Sequence, residues 1–140
     1  MTKRIIYTNA TGGVSILIPA ENIRLTIDQV AEKDVPNGVT FEIVDTSAIP
    51  TERTFRNAWR KNGKAVQTDM PAAREIAHTM RRGARDEEMK PLDVQATIPS
   101  QAQAAEAARQ IVRDKYADVQ IAIDASTNEG ELLAAMDKME

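Results

Sequence analysis

The chain has 140 residues and a mass of 15.4 kDa, which is room for one compact domain or two very small ones and excludes a large multidomain enzyme. It contains no cysteine, so disulfide frameworks, thiol nucleophiles, iron–sulfur clusters and cysteine zinc sites are excluded. No apolar run approaches the about 20 residues of a membrane helix, and the first residues lack the apolar stretch of a signal peptide. We therefore expect neither a membrane span nor export.

Charge is distributed unevenly along the chain, although the net charge is only −3. Residues 1–50 carry 4 basic and 6 acidic side chains, residues 51–90 carry 10 and 6, and residues 100–140 carry 4 and 8. The basic middle and the acidic C-terminal part are complementary, so we expect the second to neutralise the first.

The N-terminal part carries strand patterns. Residues 3–8 and 14–18 are rich in β-branched residues, and the turn formers from Asn9 to Gly13 lie between them, which predicts a hairpin. Residues 39–44 alternate well enough to predict a third strand. Thr26 is a plausible N-cap, and it predicts a short helix from Ile27 to about Glu32.

A further hairpin is predicted around Asn62-Gly63, a dipeptide that favours tight turns, with residues 55–60 and 65–68 as its arms. From Pro71 onward the apolar period changes to about 3.6, which predicts an amphipathic helix over residues 71–89. Pro91 should end or kink this helix, which we expect to resume after it.

Two more helices are predicted near the C-terminus. Ser100 and Gln103 have the spacing of a capping box that opens the first, and Ser126 and Glu129 have it for the last, short helix. The apolar stripe of the first comprises Ala104, Ala105, Ala108, Ile111, Val112 and Tyr116.

The predicted fold class is α+β. A small antiparallel sheet with one short helix occupies residues 1–69, and an α-helical hairpin with a short C-terminal helix occupies residues 70–140. Because the facing stripes of the hairpin are mostly alanine, they remove little apolar area from water. We expect the hairpin to dock on the sheet, to self-associate or to bind another chain.

No constellation of residues predicts catalysis. His78 is the only histidine, and without a second histidine or any cysteine it is better interpreted as a helix-surface residue than as a general base or metal ligand. Asp86-Glu87-Glu88 point to three sides of a helix and predict a solvated face, and Thr11-Gly12-Gly13 predicts a hairpin turn rather than a phosphate loop. We expect no catalytic residue, no metal and no cofactor.

Basic residues interleaved with aromatic ones can bind nucleic acid. The set comprises Arg53, Arg56, Arg60, Lys61 and Lys64 around Phe55 and Trp59, followed by Arg74, Arg81, Arg82 and Arg85. The acidic net charge counts against this hypothesis. The alternative is a charge match within or between chains, with Phe55 and Trp59 as core anchors.

The sequence resembles a group of small proteins encoded in the tail region of tailed bacteriophages and proteobacterial prophages. The matching stretches are Ile5-Ile6-Tyr7-Thr8-Asn9, Gly12 to Ile16, Arg53-Thr54-Phe55-Arg56-Asn57-Ala58-Trp59, Ala73-Arg74-Glu75-Ile76, Leu92-Asp93-Val94 and Ile123-Asp124-Ala125. The layout of this group is similar to that of tail fibre assembly proteins. The sequence departs from the pattern of the small tail-region proteins at Ala77, where that group usually has histidine, and at Pro91, where that group tends to be more apolar.

The resemblance implies a non-enzymatic protein of phage tail morphogenesis that binds the tail fibre polypeptide as an assembly factor or chaperone. One alternative is a minor structural tail or fibre-attachment subunit retained in the virion, and another is a phage-encoded regulator that binds nucleic acid or a host protein. We expect the tail fibre or another tail protein as partner, with self-association also open, in the host cytoplasm during assembly or in the virion tail.

The expected partner-binding residues are apolar positions of the helical hairpin and of the last helix, with a basic face that sets orientation. They are Ile76, Met80, Ala84, Ile111, Val112, Leu132, Leu133 and Met136, together with Arg74, Arg81, Arg82 and Arg85.

Overall fold

A computed structural model describes residues 2–140 and has an α+β fold. The chain divides into two compact units, one that ends at Asp69 and one that begins at Met70. All the strands lie in the first unit, and the long helices lie in the second.

The first unit contains a three-stranded antiparallel sheet. Its strands are β1 (Lys3–Thr8), β2 (Val14–Leu17) and β3 (Phe41–Asp45), in the order β2-β1-β3. The predicted first hairpin is confirmed, and its turn depends on Asn9, whose side-chain oxygen accepts hydrogen bonds from the backbone N–H groups of Thr11 and Gly13. The sheet therefore has β2 and β3 at its edges.

Helix α1 (Ile27–Asp34) covers one face of this sheet. Thr26 and Gln29 form a capping box: the Thr26 hydroxyl accepts from the Gln29 N–H, and the Gln29 side chain accepts from the Thr26 N–H. Its buried Val30 and Ala31 join a core cluster with Ile5 of β1. The predicted N-cap is confirmed, and the helix is about two residues longer than expected.

The second predicted hairpin forms a separate two-stranded sheet of β4 (Trp59–Asn62) and β5 (Ala65–Thr68). Its first arm is shorter than predicted, because residues Arg56–Ala58 form a 3-10 turn, which the Ala58 N–H closes by donating to the Phe55 carbonyl at 2.8 Å. Gly63 supplies the positive φ of +60° that the tight turn requires.

The second unit consists of α2 (Met70–Gln95), α3 (Ala102–Ala125) and α4 (Glu129–Asp137). The predicted end of the helix near residue 89 is wrong, because α2 runs through Pro91 to Gln95. Proline has no N–H, so the Glu87 carbonyl four residues earlier has no helical donor there. The helix ends four residues beyond Pro91, so little of it depends on the missing bond.

Both capping boxes predicted for this unit are wrong. Helix α3 begins after Gln101, whose side chain makes no capping hydrogen bond. Helix α4 begins after Asn128, whose side-chain oxygen accepts from the Glu131 N–H at 2.9 Å. Ser126, the predicted cap, instead donates its hydroxyl proton to the Ala122 carbonyl at the end of α3.

The buried stripe of α3 differs from the predicted one at two positions in the first half of the helix. Ala105, Tyr116, Val119 and Ile123 are buried, whereas Ile111 is 70% exposed and Ala104 is also exposed. The stripe thus follows the spacing from Tyr116 to Val119 and Ile123, and Ile111 lies about 80–140° away from these residues around the helix axis, outside the stripe.

We expect Pro91→Ala to raise the free energy of unfolding by about 1–3 kcal/mol, because alanine restores a donor to the Glu87 carbonyl and removes the ring from the helix. Urea denaturation monitored by circular dichroism measures this change. Val94→Ala is the matched control, since Val94 is 66% exposed in the same helix end. A destabilised P91A variant would contradict the prediction.

Candidate interaction surfaces

Two ion pairs join α2 to α3. The Lys115 Nζ lies 2.9 Å from the Glu88 Oε1, and the Arg109 Nε lies 3.3 Å from the Asp93 Oδ1. In both pairs the acid comes from α2 and the base from α3. This is the reverse of the expected neutralisation, in which basic residues of the middle segment pair with acidic residues of residues 100–140.

The pair of Glu88 and Lys115 changes the pKa of both groups. A hydrogen bond from Lys115 lowers the pKa of the Glu88 carboxyl below its usual value, and the same bond raises the pKa of Lys115. Glu88 was predicted to lie on a solvated face, and this is wrong for that residue because its carboxylate is bound across the helix pair. The side chains stay 39% and 29% exposed, so solvent screens the interaction.

His78 is itself buried rather than on the predicted helix surface, although its partner Asp124 is mostly exposed. His78 is 8% exposed, its Nε2 lies 2.7 Å from the Asp124 Oδ1 of α3, and its Nδ1 accepts a hydrogen bond from the Arg81 Nε at 3.2 Å. Arginine can only donate, so Nδ1 is the acceptor and the ring proton sits on Nε2, which donates to Asp124.

Arg74 adds a second link between the same two segments. It donates from a guanidinium nitrogen to the Ser126 carbonyl at 3.0 Å, just past the end of α3. This satisfies a carbonyl that has no helical donor. Arg74 and His78, one turn apart on α2, therefore both hold the C-terminal end of α3.

The chemistry available for metal binding is sparse. Among residues 2–140, no group of three or more histidine, aspartate or glutamate side chains is placed to hold a metal ion. His78 has a single carboxylate neighbour, and both ring nitrogens are already in hydrogen bonds. We therefore treat this cluster as structural.

The structure separates the expected partner-binding residues by their accessibility. Ile111 is 70% exposed and Met80 is 41% exposed. Leu132 is fully buried in α4, so its expected role in partner binding is wrong. The partly buried remainder comprises Ile76, Ala84, Val112, Leu133 and Met136.

A further exposed apolar residue, Ile121 of α3, was missed by the sequence analysis. It is 66% exposed and lies about 80° from Ile111 around the helix axis at 100° per residue, so both isoleucines share the solvent side of α3. The exposure of Ile121 could have been predicted from helical spacing, because Tyr116, Val119 and Ile123 share one stripe and Ile121 falls outside it. We call Ile111 and Ile121 the α3 isoleucine face.

The predicted basic face lies on α2. Arg81 binds His78 and Arg74 binds the Ser126 carbonyl, whereas Arg82 and Arg85 form no ion pair within residues 2–140. The basic residues between Arg53 and Lys64 lack the aromatic surface of a nucleic-acid site. Phe55 and Trp59 are 0% and 2% exposed and cannot stack on bases.

Comparison with protein-family models, with curated proteins and with solved structures found no match to this chain. In the part of the chain that the structure describes, no helix has the length and apolar character needed to cross a bilayer.

We expect Leu132→Ala to lower the free energy of unfolding by about 2–5 kcal/mol, because it removes a fully buried side chain and leaves a cavity. Ile111→Ala is the matched control and should change stability by no more than about 0.5 kcal/mol, since its side chain is mostly in water already. Thermal or urea unfolding distinguishes the two. Equal losses would contradict the assignment of Leu132 to the core and Ile111 to the surface.

A double-mutant cycle of Glu88→Gln and Lys115→Met should give a coupling free energy below about 1 kcal/mol at neutral pH. Because the pKa of Glu88 is lowered by folding, this contribution is present above the unfolded pKa and is lost as pH falls through the folded pKa. The coupling should therefore decrease as the pH is lowered through the folded pKa of Glu88, which lies below its usual value. A coupling that persists in acid would show that the two side chains interact by packing rather than by charge.

Proposed function

We propose that this chain is a non-enzymatic protein of phage tail morphogenesis and that it binds the tail fibre polypeptide as an assembly factor. The phage context of this proposal comes from the resemblance of its sequence, above all the stretch Arg53 to Trp59, to tail-region proteins. We assign binding of the fibre to the helical unit. The main support for this assignment is the α3 isoleucine face.

This face supports binding because it leaves large apolar side chains in water on a rigid helix. Ile111 and Ile121 are each about two-thirds exposed or more, while Ala107, Ala104 and Ala125 on the same side of α3 are small and do not shield them. A helix of 24 residues that presents such a face can pack against the apolar seam of an immature coiled coil. Burying the two isoleucines would contribute about 1.5–3 kcal/mol each.

Charge around this face would help to select the partner. Asp114 and Asp118 are exposed and lie on the same side of α3 as the isoleucines. Charged groups at the rim of an interface mainly steer encounter and reject wrong partners. We therefore assign affinity to the isoleucines and orientation to the charges.

The test is co-expression of the chain with the tail fibre polypeptide of the same phage or prophage, followed by capture through a tag on the fibre. We expect the wild-type chain to be captured, and I111D/I121D to be captured at least about tenfold less, because two aspartates replace the apolar contact. Gln120→Asp is the matched control, since it adds the same side chain at an exposed position of the same helix.

Two results would contradict this proposal. Equal capture of the wild-type chain and of I111D/I121D would mean that the isoleucine face does not bind the fibre. A fixed ratio of this chain to tail proteins in purified particles, measured by quantitative mass spectrometry, would instead make it a structural subunit of the virion.

A further inference from the structure

A cavity of about 620 Å³ lies in the first unit. Its volume is within the range of protein ligand sites. All four residues of β2, Val14–Leu17, line it. Successive side chains of a strand point to opposite faces of the sheet, so a cavity that touches all four residues also reaches the backbone of β2, beside the edge that does not pair with β1.

That edge of β2 is open. The strand pairs with β1 on one side, and its backbone has no other hydrogen-bonded partner among the residues that the structure describes. An open strand edge offers a row of N–H and C=O groups to which an extended peptide can add as a further strand. Four residues span about 13 Å at the usual rise, so the cavity fits a short extended segment.

The charged residues of the cavity are both cations. Arg53 and Arg56 line it, and none of the other lining residues is an acid. Neither guanidinium has an ion pair within residues 2–140, and Arg53 lies over the Trp59 ring at 5.6 Å. Arginine binds carboxylates through paired N–H groups, so this arrangement favours a carboxylate-bearing occupant.

Trp59 forms part of the cavity wall. The side chain lines the cavity and is 2% exposed, yet its indole N–H has no hydrogen-bond partner in the described part of the chain. A buried donor without a partner is unfavourable. The nitrogen itself is enclosed, so the indole N–H reports on changes in the cavity wall and is not counted as a contact to an occupant.

We infer that the cavity along β2 binds an extended acidic peptide segment of a partner protein. The segment adds to β2 as an edge strand and places a glutamate or aspartate carboxylate against Arg53 and Arg56. Ile18, which follows β2 and is 67% exposed, gives an apolar contact at the end of the added strand. This site lies in the first unit and does not depend on the surface proposed for tail fibre binding.

The test is a titration of the full-length, nitrogen-15-labelled chain followed by NMR. The probe is a blocked hexapeptide that alternates glutamate with valine, and the comparison peptide has lysine in place of each glutamate. The chain has one tryptophan, so its indole N–H gives a single reporter signal at the proposed site. A third probe is the acidic peptide with N-methylated alternate amides, which cannot form the strand ladder.

We expect the acidic peptide to shift the Trp59 indole and the β2 amide signals in a saturable way, and the lysine peptide to leave them unchanged. N-methylation should weaken binding at least about tenfold, because it removes ladder hydrogen bonds. Arg56→Glu should weaken it to a similar extent; Arg56 makes no side-chain hydrogen bond or ion pair, so this variant should stay folded. Arg24→Glu, an exposed arginine outside the cavity, is the matched control and should bind normally.

Several outcomes would overturn this inference. Glutarate or inorganic phosphate binding as tightly as the acidic peptide would make the cavity a small-anion site. Equal binding of the N-methylated peptide would exclude strand addition, and equal weakening by R24E would mean non-specific charge attraction. Absence of a saturable shift at millimolar peptide would mean that the edge does not bind acidic peptides, and none of these results would bear on capture of the fibre through α3.

Discussion

The hydrogen bond between His78 and Asp124 constrains how the two long helices of the second unit pack. It joins the first half of α2 to the last turn of α3, and the Arg74 bond to the Ser126 carbonyl lies beside it. The other half of the helix pair is joined by Glu88 with Lys115 and by Asp93 with Arg109. With polar links near both ends, the rotation of α3 is fixed, and Tyr116 faces inward while Ile111 faces water.

Local chemistry explains which parts of the fold could be predicted from the sequence. The first hairpin, the Thr26 cap and the Asn62-Gly63 turn depend on residues that are neighbours in the chain. Local sequence patterns therefore predict all three features. The failures at Ser100 and Ser126 have another cause. Several capping candidates stood close together, and the choice between Ser126 and Asn128 depended on where α3 ends.

The interaction surfaces were harder to predict, because they depend on which side of each helix faces inward. Alanines occupy several sides of the first half of α3 and so do not define one apolar stripe, and the buried Tyr116, Val119 and Ile123 decide which side faces inward. The direction of the ion pairs was missed for a related reason. Net charge per segment says nothing about which individual acid of α2 meets which base of α3.

The placement of the aromatic residues has a practical consequence for folding studies. The chain has a single tryptophan, Trp59, and it is buried in the first unit, whereas the three long helical segments belong to the second. Tryptophan fluorescence therefore follows the melting of the β-rich unit, and far-ultraviolet circular dichroism is dominated by the helical one. Coincident transitions would mean a single cooperative unfolding step, and separated ones would give each unit its own stability, so the native chain carries a separate spectroscopic label for each half.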